Sequence, residues 1–500
     1  MSNTENEGFN KIRNLLSCRQ VLNILTMLGF MLNYALRVNL TIAIVQMVQP
    51  ETQLDSNSTN TTDFSSEQNV EDTKDDRFAW DSYHKNFVLG CFFGGYILTE
   101  LPGGRLAELI GGRRVFGHSM FWASLLTLIT PLAAHISYVA LIIVRVVLGF
   151  MLGASWPAIH PVAAVWIPPM ERSRFMSNMM ASSLGAAITM PICGFLMDVA
   201  GWSSVFYLTG AVGLLWSFAW FTFVYETPAT HPRISPEERR EIEEAIGTTT
   251  SKIHASRVPW GQLLSSSAVW AIIVTHALSV YGFFTLVHQL PTYMETVLKF
   301  DIKENGLFSS LPYLGKYVMA FSSSCYADYL RKKRILSTTA TRKIFTSFAL
   351  LTPGFLMVAQ VFLGRDAAWS VIIFTFALFT HGAVTAGYLG NGLDIAPNFS
   401  GTIFGLANTF SSLGGFLSSG MVAMLMQGDE SNYRQWQKVF WVLAVTYISG
   451  ALVYVVLGSG ELQSWNNESK ITTLDSINIE EEVPLKSTKI RTKINAKAEK

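Results

Sequence analysis

Charged side chains inside long apolar runs are the first residues in this sequence that could do chemistry. Arg37 lies in the run from Leu22 to Val45, Arg145 in a second run, and Lys316 in a third, near Tyr313. Glu100, just before Leu101-Pro-Gly-Gly, is the clearest acid among them. A charge deep in a bilayer is costly and persists where it pairs, lines water or meets a ligand. Cations outnumber acids here, so water or an anion has to compensate them. An arginine fork matches the two oxygens of a carboxylate or phosphate. Arg37 and Arg145 are therefore read as anion contacts, with structural ion pairing as the competing role. Lys316 is a weaker case, because a lysine can snorkel to an interface. Asn33, Arg37 and Thr41 recur every four residues and give one helix a polar face.

Five histidines, His118, His160, His276, His288 and His381, also fall on apolar segments. Most helix-borne histidines are hydrogen-bonded packing residues. His160 and His288 are the better proton-carrier candidates because they follow polar or bent segments. Asn391 and Asn408 fit polar packing, or contact with an ion or substrate. Cys18, Cys91, Cys193 and Cys325 lie in or beside apolar segments without metal-ligand spacing, so they read as small core residues. The sequence carries no Walker loop, nucleophile elbow, HExxH or CxxC pair. Nothing in it points to a soluble enzyme or a nucleotide-driven pump.

The elements that must position these residues are membrane helices. Half of the 500 residues are hydrophobic and only 15% are charged, against about 25% charged in a soluble domain. Apolar runs of the roughly 20 residues that span a bilayer recur along the chain. Spans are expected near 20–47, 83–108, 113–134, 138–167, 174–199 and 203–225. A second six follow near 266–297, 305–329, 340–363, 368–392, 399–427 and 436–459. Helices are required because backbone polar groups in lipid must be satisfied within the segment. The polar first twenty residues do not read as a cleaved signal peptide. Net charge is +1, which says nothing for a nucleic-acid partner.

Lysine and arginine concentrate in alternate loops: Arg113 and Arg114, Arg172 and Arg174, Arg239 and Arg240, and Arg331 to Arg334. The positive-inside rule places that set, and both termini, in the cytosol. The tails are 1–19 and 460–500, the cytosolic linker is 226–265, and the two bundles are 20–225 and 266–459. The linker contains Ser235-Pro-Glu-Glu238, read as a capping box opening a helix from Pro236 to Ile246 that stops at Gly247. The outer loop, 48–82, is rich in Ser, Thr, Asn and Asp and is expected to be disordered. It carries glycosylation sequons at Asn57 and Asn60.

Two loop segments repeat. Gly104-Arg-Leu-Ala-Glu108-Leu-Ile-Gly111-Gly-Arg113-Arg114 follows the second span, and Ser324-Cys-Tyr-Ala-Asp328-Tyr-Leu-Arg331 follows the eighth. Each places an acid four residues after a small residue, with basic residues beyond. This resembles the major-facilitator loop motif, once per half. The acid can pair with a basic group or helix end of the neighbouring bundle and hold one conformational state. Glu108, Arg113, Arg114, Asp328 and Arg331 are the gating candidates. The fold class is therefore all-α membrane protein: twelve transmembrane helices in the major facilitator fold, two pseudo-symmetric six-helix bundles with a midplane site between them. Gly90-x-x-x-Gly94 and Gly149-x-x-x-Gly153 should permit close helix approach. Pro157, Pro161, Pro291 and Pro312 should permit bending.

A further set of segments is specific in combination. It comprises Arg37-Val-Asn-Leu-Thr-Ile-Ala, Gly94-Gly-Tyr96, Trp166-Ile-Pro-Pro-Met-Glu-Arg-Ser-Arg174, Gly201-Trp-Ser-Ser-Val-Phe-Tyr207, Leu290-Pro-Thr-Tyr-Met294, Leu393-Asp-Ile-Ala-Pro-Asn398 and Gly458-Ser-Gly-Glu-Leu-Gln-Ser-Trp465. Together they span nearly the whole chain and resemble the anion:cation symporter family. That family holds type I sodium–phosphate cotransporters, vesicular glutamate transporters and sialin. The pattern is most similar to insect-type inorganic phosphate cotransporters. The resemblance implies a symporter, not an enzyme, acting as a monomer in membrane lipid. Arg37 and Arg145 would be the anion-binding arginines and Tyr96 an aromatic residue of the site. The membrane would be the plasma membrane or an endolysosomal or vesicular one.

The chain departs from that family at Leu152, where members with organic substrates often have glutamate, and at Leu89, where histidine is frequent. Ser279 stands in place of an arginine, and Gly392 in place of a common histidine. With those titratable groups gone, sodium is the expected coupling ion, held by oxygens of Asn33, Thr41, Thr99 and Asn391. Protons carried by Glu100, His160 or His288 are the alternative. No bound cofactor beyond the coupling ion is expected. The cargo would be inorganic phosphate or a small organic anion; a protein that has kept the fold but lost transport is the other reading.

Overall fold

The computed structural model describes residues 16–48, 78, 80, 82–247, 258–299, 302–426 and 432–466. Asn57, Asn60 and the tail beyond Asn466 lie outside them. Among the described residues the chain is helical, with a single isolated bridge between Val48 and Phe78. The first half comprises α1 (Cys18–Met47), α2 (Ser82–Ile110), α3 (Gly112–Ile136), α4 (Tyr138–Gly153), α5 (Ser155–Trp166), α6 (Arg172–Met176), α7 (Ala181–Ala200) and α8 (Ser203–Phe223). Two short helices follow, α9 (Pro236–Ile246) and α10 (Trp260–Ser265). The second half comprises α11 (Ser267–Thr296), α12 (Ile302–Lys332), α13 (Thr338–Leu363), α14 (Ala367–His381), α15 (Asn391–Ile395), α16 (Ser400–Leu425) and α17 (Tyr433–Leu457).

Ten spans are long and apolar enough to cross a membrane by length and composition. The long helices α12 and α16 complete twelve; α12 carries charges along its length and α16 is rich in Ser and Gly. The fourth, fifth and tenth spans are broken. Ala154 separates α4 from α5, with Pro157 in the first turn beyond it. A 3-10 turn, Ser177–Met180, joins α6 to α7. Two further 3-10 turns lie between α14 and α15. By contrast, Leu101-Pro-Gly-Gly does not end its helix: α2 runs through Pro102 to Ile110.

Helix pairing repeats in the two halves. In the first, α1 packs on α7, α2 on α4 and α3 on α8. In the second, α11 packs on α16, α12 on α14 and α13 on α17. The halves meet where α2 lies against α16 and α7 against α12, two contacts that the repeat relates to each other. Lipid offers no hydrophobic drive between helices, so close packing has to hold them together. Between α2 and α4 the backbones nearly touch: a methyl group on Gly149 would sit 2.0 Å from the Phe92 carbonyl oxygen. The opposing small residue is Gly95, not the expected Gly90 and Gly94, which face open space. One residue along a helix turns the side chain by about 100°, so a motif read by spacing alone can select the wrong face.

At the start of α1, Ser17 and Gln20 form a reciprocal cap. The carboxylate of Glu238 on α9 accepts from the backbone N–H groups of Cys18 and Arg19 at 3.2 and 3.0 Å. Ser235 caps α9 by accepting from the Glu238 N–H. The expected capping box is therefore half used for α9, and its carboxylate satisfies α1 instead.

Candidate functional site

A cavity of about 120 Å³ lies between the halves, lined by both. From the first half come Asn33, Tyr34 and Arg37 on α1, Phe93, Tyr96 and Glu100 on α2, and Trp156 on α5. From the second come His276 and Phe284 on α11, Tyr313 and Lys316 on α12, His381 on α14, and Asn408 and Ser412 on α16.

Arg37 is held by rings rather than by acids. Its guanidinium carbon lies 4.7 Å from the centre of Phe93, 5.8 Å from Phe92, 5.9 Å from Tyr96 and, across the cavity, 5.6 Å from Phe284. It makes no hydrogen bond or ion pair among the described residues. Aromatic faces stabilise a cation by about 0.5–2 kcal/mol each and leave its donors free for a ligand. Glu100 is fully buried. One carboxylate oxygen accepts from Ser412 Oγ at 2.9 Å, while the other has no partner. Asn33 donates from its amide nitrogen to Ser155 Oγ at 2.8 Å.

Other expected site residues lie elsewhere. Arg145 is 2% exposed and faces α2, its guanidinium carbon 5.2 Å from the Phe92 ring, and it is not part of the cavity lining. His160 is buried and stacks on Phe404 at 3.9 Å. His288 stacks on Phe284. Thr99 donates to the Phe150 carbonyl, and Asn391 donates to Ser459 O. Of the residues expected to bind sodium, only Asn33 lines the cavity. Spacing along one helix cannot show which face meets the opposite bundle.

The end of the molecule that carries the basic loops is closed. Glu108 accepts from both the N–H and the hydroxyl of Thr402 at 2.6 Å, at the start of α16. Asp328 accepts from the N–H groups of Ser173 and Arg174 at the start of α6, at 3.3 and 2.8 Å. The two repeated acids thus reach helix N-termini of the opposite half, where the helix dipole favours negative charge. Arg331 pairs with Asp394 at 3.3 Å and with Asp328 at 3.7 Å. Arg113 donates to Phe221 O, and Arg114 is surface-exposed.

Three residues that sequence reasoning missed complete this closure. Arg342 bonds Asp394 at 2.7 Å and crosses to Ser173 Oγ at 2.9 Å. Arg172 donates to Leu393 O at 2.6 Å. In the sequence Arg342 looks like an ordinary flanking base of a span. Only Asp394, an acid next to a span in a chain short of membrane acids, could have signalled that a buried partner existed.

Two symmetric bundles around a shared cavity, closed at one end by cross-bundle acids, define a major facilitator carrier. The description Major Facilitator Superfamily matches residues 26–419, and the chain belongs to that superfamily. Within it the chain is similar to Sialin of Homo sapiens, 36% identical over 453 residues, covering 90% of this chain and 91% of that one. It is likewise 36% identical to a Drosophila ananassae protein named "Putative inorganic phosphate cotransporter", covering 89% and 93%. Vesicular glutamate transporter 2 of Homo sapiens is 34% identical, covering 89% and 75%. The chain is therefore a member of the anion:cation symporter family, a multi-pass membrane transporter group and not an enzyme family. Among solved structures, the fold matches the proton:xylose symporter XylE with a TM-score of 0.64 at 14% identity, covering 90% and 98%. The human organic anion transporter MFSD10 matches with a TM-score of 0.59 at 15% identity, covering 87% and 99%.

Proposed function

We propose that this chain is a secondary carrier of a small anion, inorganic phosphate or a small organic anion, working by alternating access about the central cavity. The observation that carries this reading is Arg37: a guanidinium facing a cavity shared by both halves, braced by rings and unpaired with any acid. An anion is the partner that such a site lacks. Tyr96 shapes the pocket beside it. The closed basic end, taken as cytosolic on its lysines and arginines, makes the described state one in which anion arrives from the opposite side. Glu108, Asp328 and Arg331 then serve as the gate that releases when the halves rock.

Geometry favours the proton over sodium as the coupling ion. Of the four expected sodium ligands, only Asn33 lines the cavity; Thr41, Thr99 and Asn391 are not part of its lining. Glu100 lies in the cavity with one oxygen free of partners, where it can take up or release a proton as the cavity opens to either side. The test is uptake of labelled phosphate, glutamate and sialate into vesicles holding the purified chain. Sodium is first replaced by choline at fixed pH, and the pH gradient is then collapsed at fixed sodium. Uptake that persists without sodium and stops without the pH gradient is expected. The opposite pattern restores the sodium reading, and no uptake of any anion refutes the carrier reading.

A further inference from the structure

Lys316 sits where a lysine cannot reach water by extending along its helix. It is 14 residues from the start of α12 and 16 from its end, about 21 and 24 Å along the axis. The side chain is 4% exposed. Its ammonium lies 3.3 Å from the centre of the Phe283 ring and makes no hydrogen bond or ion pair among the described residues. Snorkelling therefore does not account for it. Nor is its position loose: the Lys316 carbonyl oxygen is pressed against Gly382, where a methyl group would fall 2.2 Å away. His381 stacks on Phe283 at 5.6 Å and is itself bonded to Ser279 at 2.9 Å, so the ring on which the lysine rests is braced. The cavity's acid, Glu100, is bonded to Ser412 instead.

We propose that Lys316 is the anion contact of the second half, so that the carried anion lies between Arg37 on one bundle and Lys316 on the other. Three short steps join the two cations: Arg37 to Phe284 at 5.6 Å, Phe284 to Phe283 at 5.7 Å, and Phe283 to Lys316 at 3.3 Å. An ion held by both bundles draws them together, which is what a rocking carrier requires of its cargo. Charge counting sets the class of cargo. With Glu100 ionised, the site carries one net positive charge; with Glu100 protonated it carries two. A monoanion alone, or a dianion together with one proton, leaves the loaded cavity neutral. Removing Lys316 should therefore penalise a dianion more than a monoanion.

This inference rests on the anion-carrier reading, and its test separates the two. Purified full-length wild type in liposomes is first given labelled phosphate, glutamate and sialate. If it moves none, the carrier reading fails. With the best of these anions, Lys316→Met should raise the half-saturating concentration at least tenfold and abolish the thermal stabilisation that the anion confers. Lys316→Arg should stay within threefold of wild type. Unchanged half-saturation and an unchanged anion-induced shift in Lys316→Met would overturn the proposal. A second measurement needs no substitution and covers a variant that does not fold. Saturating anion should slow modification of Lys316 in the wild type by a small amine-reactive reagent, read by mass spectrometry. Exposed Lys332 should react at the same rate with and without anion. Lys316 left unprotected by anion refutes the proposal equally.

Discussion

Glu108→Ala should open the basic end. In the described state this carboxylate accepts two cross-bundle bonds of 2.6 Å, from the Thr402 N–H and hydroxyl, and a third from Arg105 at 3.0 Å within its own helix. A hydrogen bond to a charged group contributes about 1.5–3 kcal/mol net. Only the two cross-bundle bonds distinguish the closed state from an open one, and water replaces part of their value once the end opens. A loss of about 3 kcal/mol is a reasonable central figure, or roughly a hundredfold in the closed-to-open ratio at 1.4 kcal/mol per decade. Glu108→Gln keeps an acceptor oxygen and should shift the ratio only about tenfold, on the same scale. The reporter is a cysteine replacing Ser400, which is fully buried at the first turn of α16, in a chain whose four native cysteines have been replaced. Its reaction with a maleimide offered from the basic side should accelerate about a hundredfold in the alanine variant and about tenfold in the glutamine variant. Labelling at the wild-type rate in Glu108→Ala would show that this contact does not hold the halves.

Arg37→Ala should abolish anion uptake while the protein still reaches its membrane; Arg37→Lys should recover less than about a tenth, because an ammonium lacks the planar fork, and normal uptake in the alanine variant would remove Arg37 from the site. Gly149→Val should cut the yield of folded protein several-fold, since even its Cβ meets the Phe92 carbonyl at 2.0 Å; size-exclusion profiles in mild detergent check this, and an unchanged profile would mean that α2 and α4 can separate at little cost. An epitope in 248–257 should be stained only after permeabilisation, and glycosidase should shift the mass of wild type but not of Asn57→Gln/Asn60→Gln; staining of intact cells would reverse the orientation. Burial pushes the His231 imidazole below its ordinary range, so the undocked linker binds protons more readily than the docked one. Docking of α9 on α1 is then fully present above the free-histidine value of about 6.5 and weakens as pH falls below it. Protection of the Cys18 and Arg19 amides from hydrogen exchange, relative to the intrinsic rate at each pH, should therefore fall from pH 7.5 to 5.5, and His231→Phe should flatten that dependence.

The sequence by itself determined the membrane helices, because hydropathy and the need to satisfy every backbone group in lipid leave no alternative to a helix across those runs. It also determined the repeat, since Glu108 and Asp328 stand at equivalent places in each half, and it singled out Arg37 and Glu100 as charges on apolar helices. What it could not decide was rotation about each helix axis and contact between bundles. Arg37 and Arg145 look alike as isolated arginines in apolar runs, yet one faces the cavity and the other faces α2. Lys316 reads as a residue free to snorkel until its depth and its Phe283 platform are known. Arg342 reads as a flanking base until Asp394 and Ser173 are found around it. Each difference turns on about 100° of helix rotation or on a partner distant in the chain. Local propensity carries no information about either, and only the packing of the two bundles fixes them.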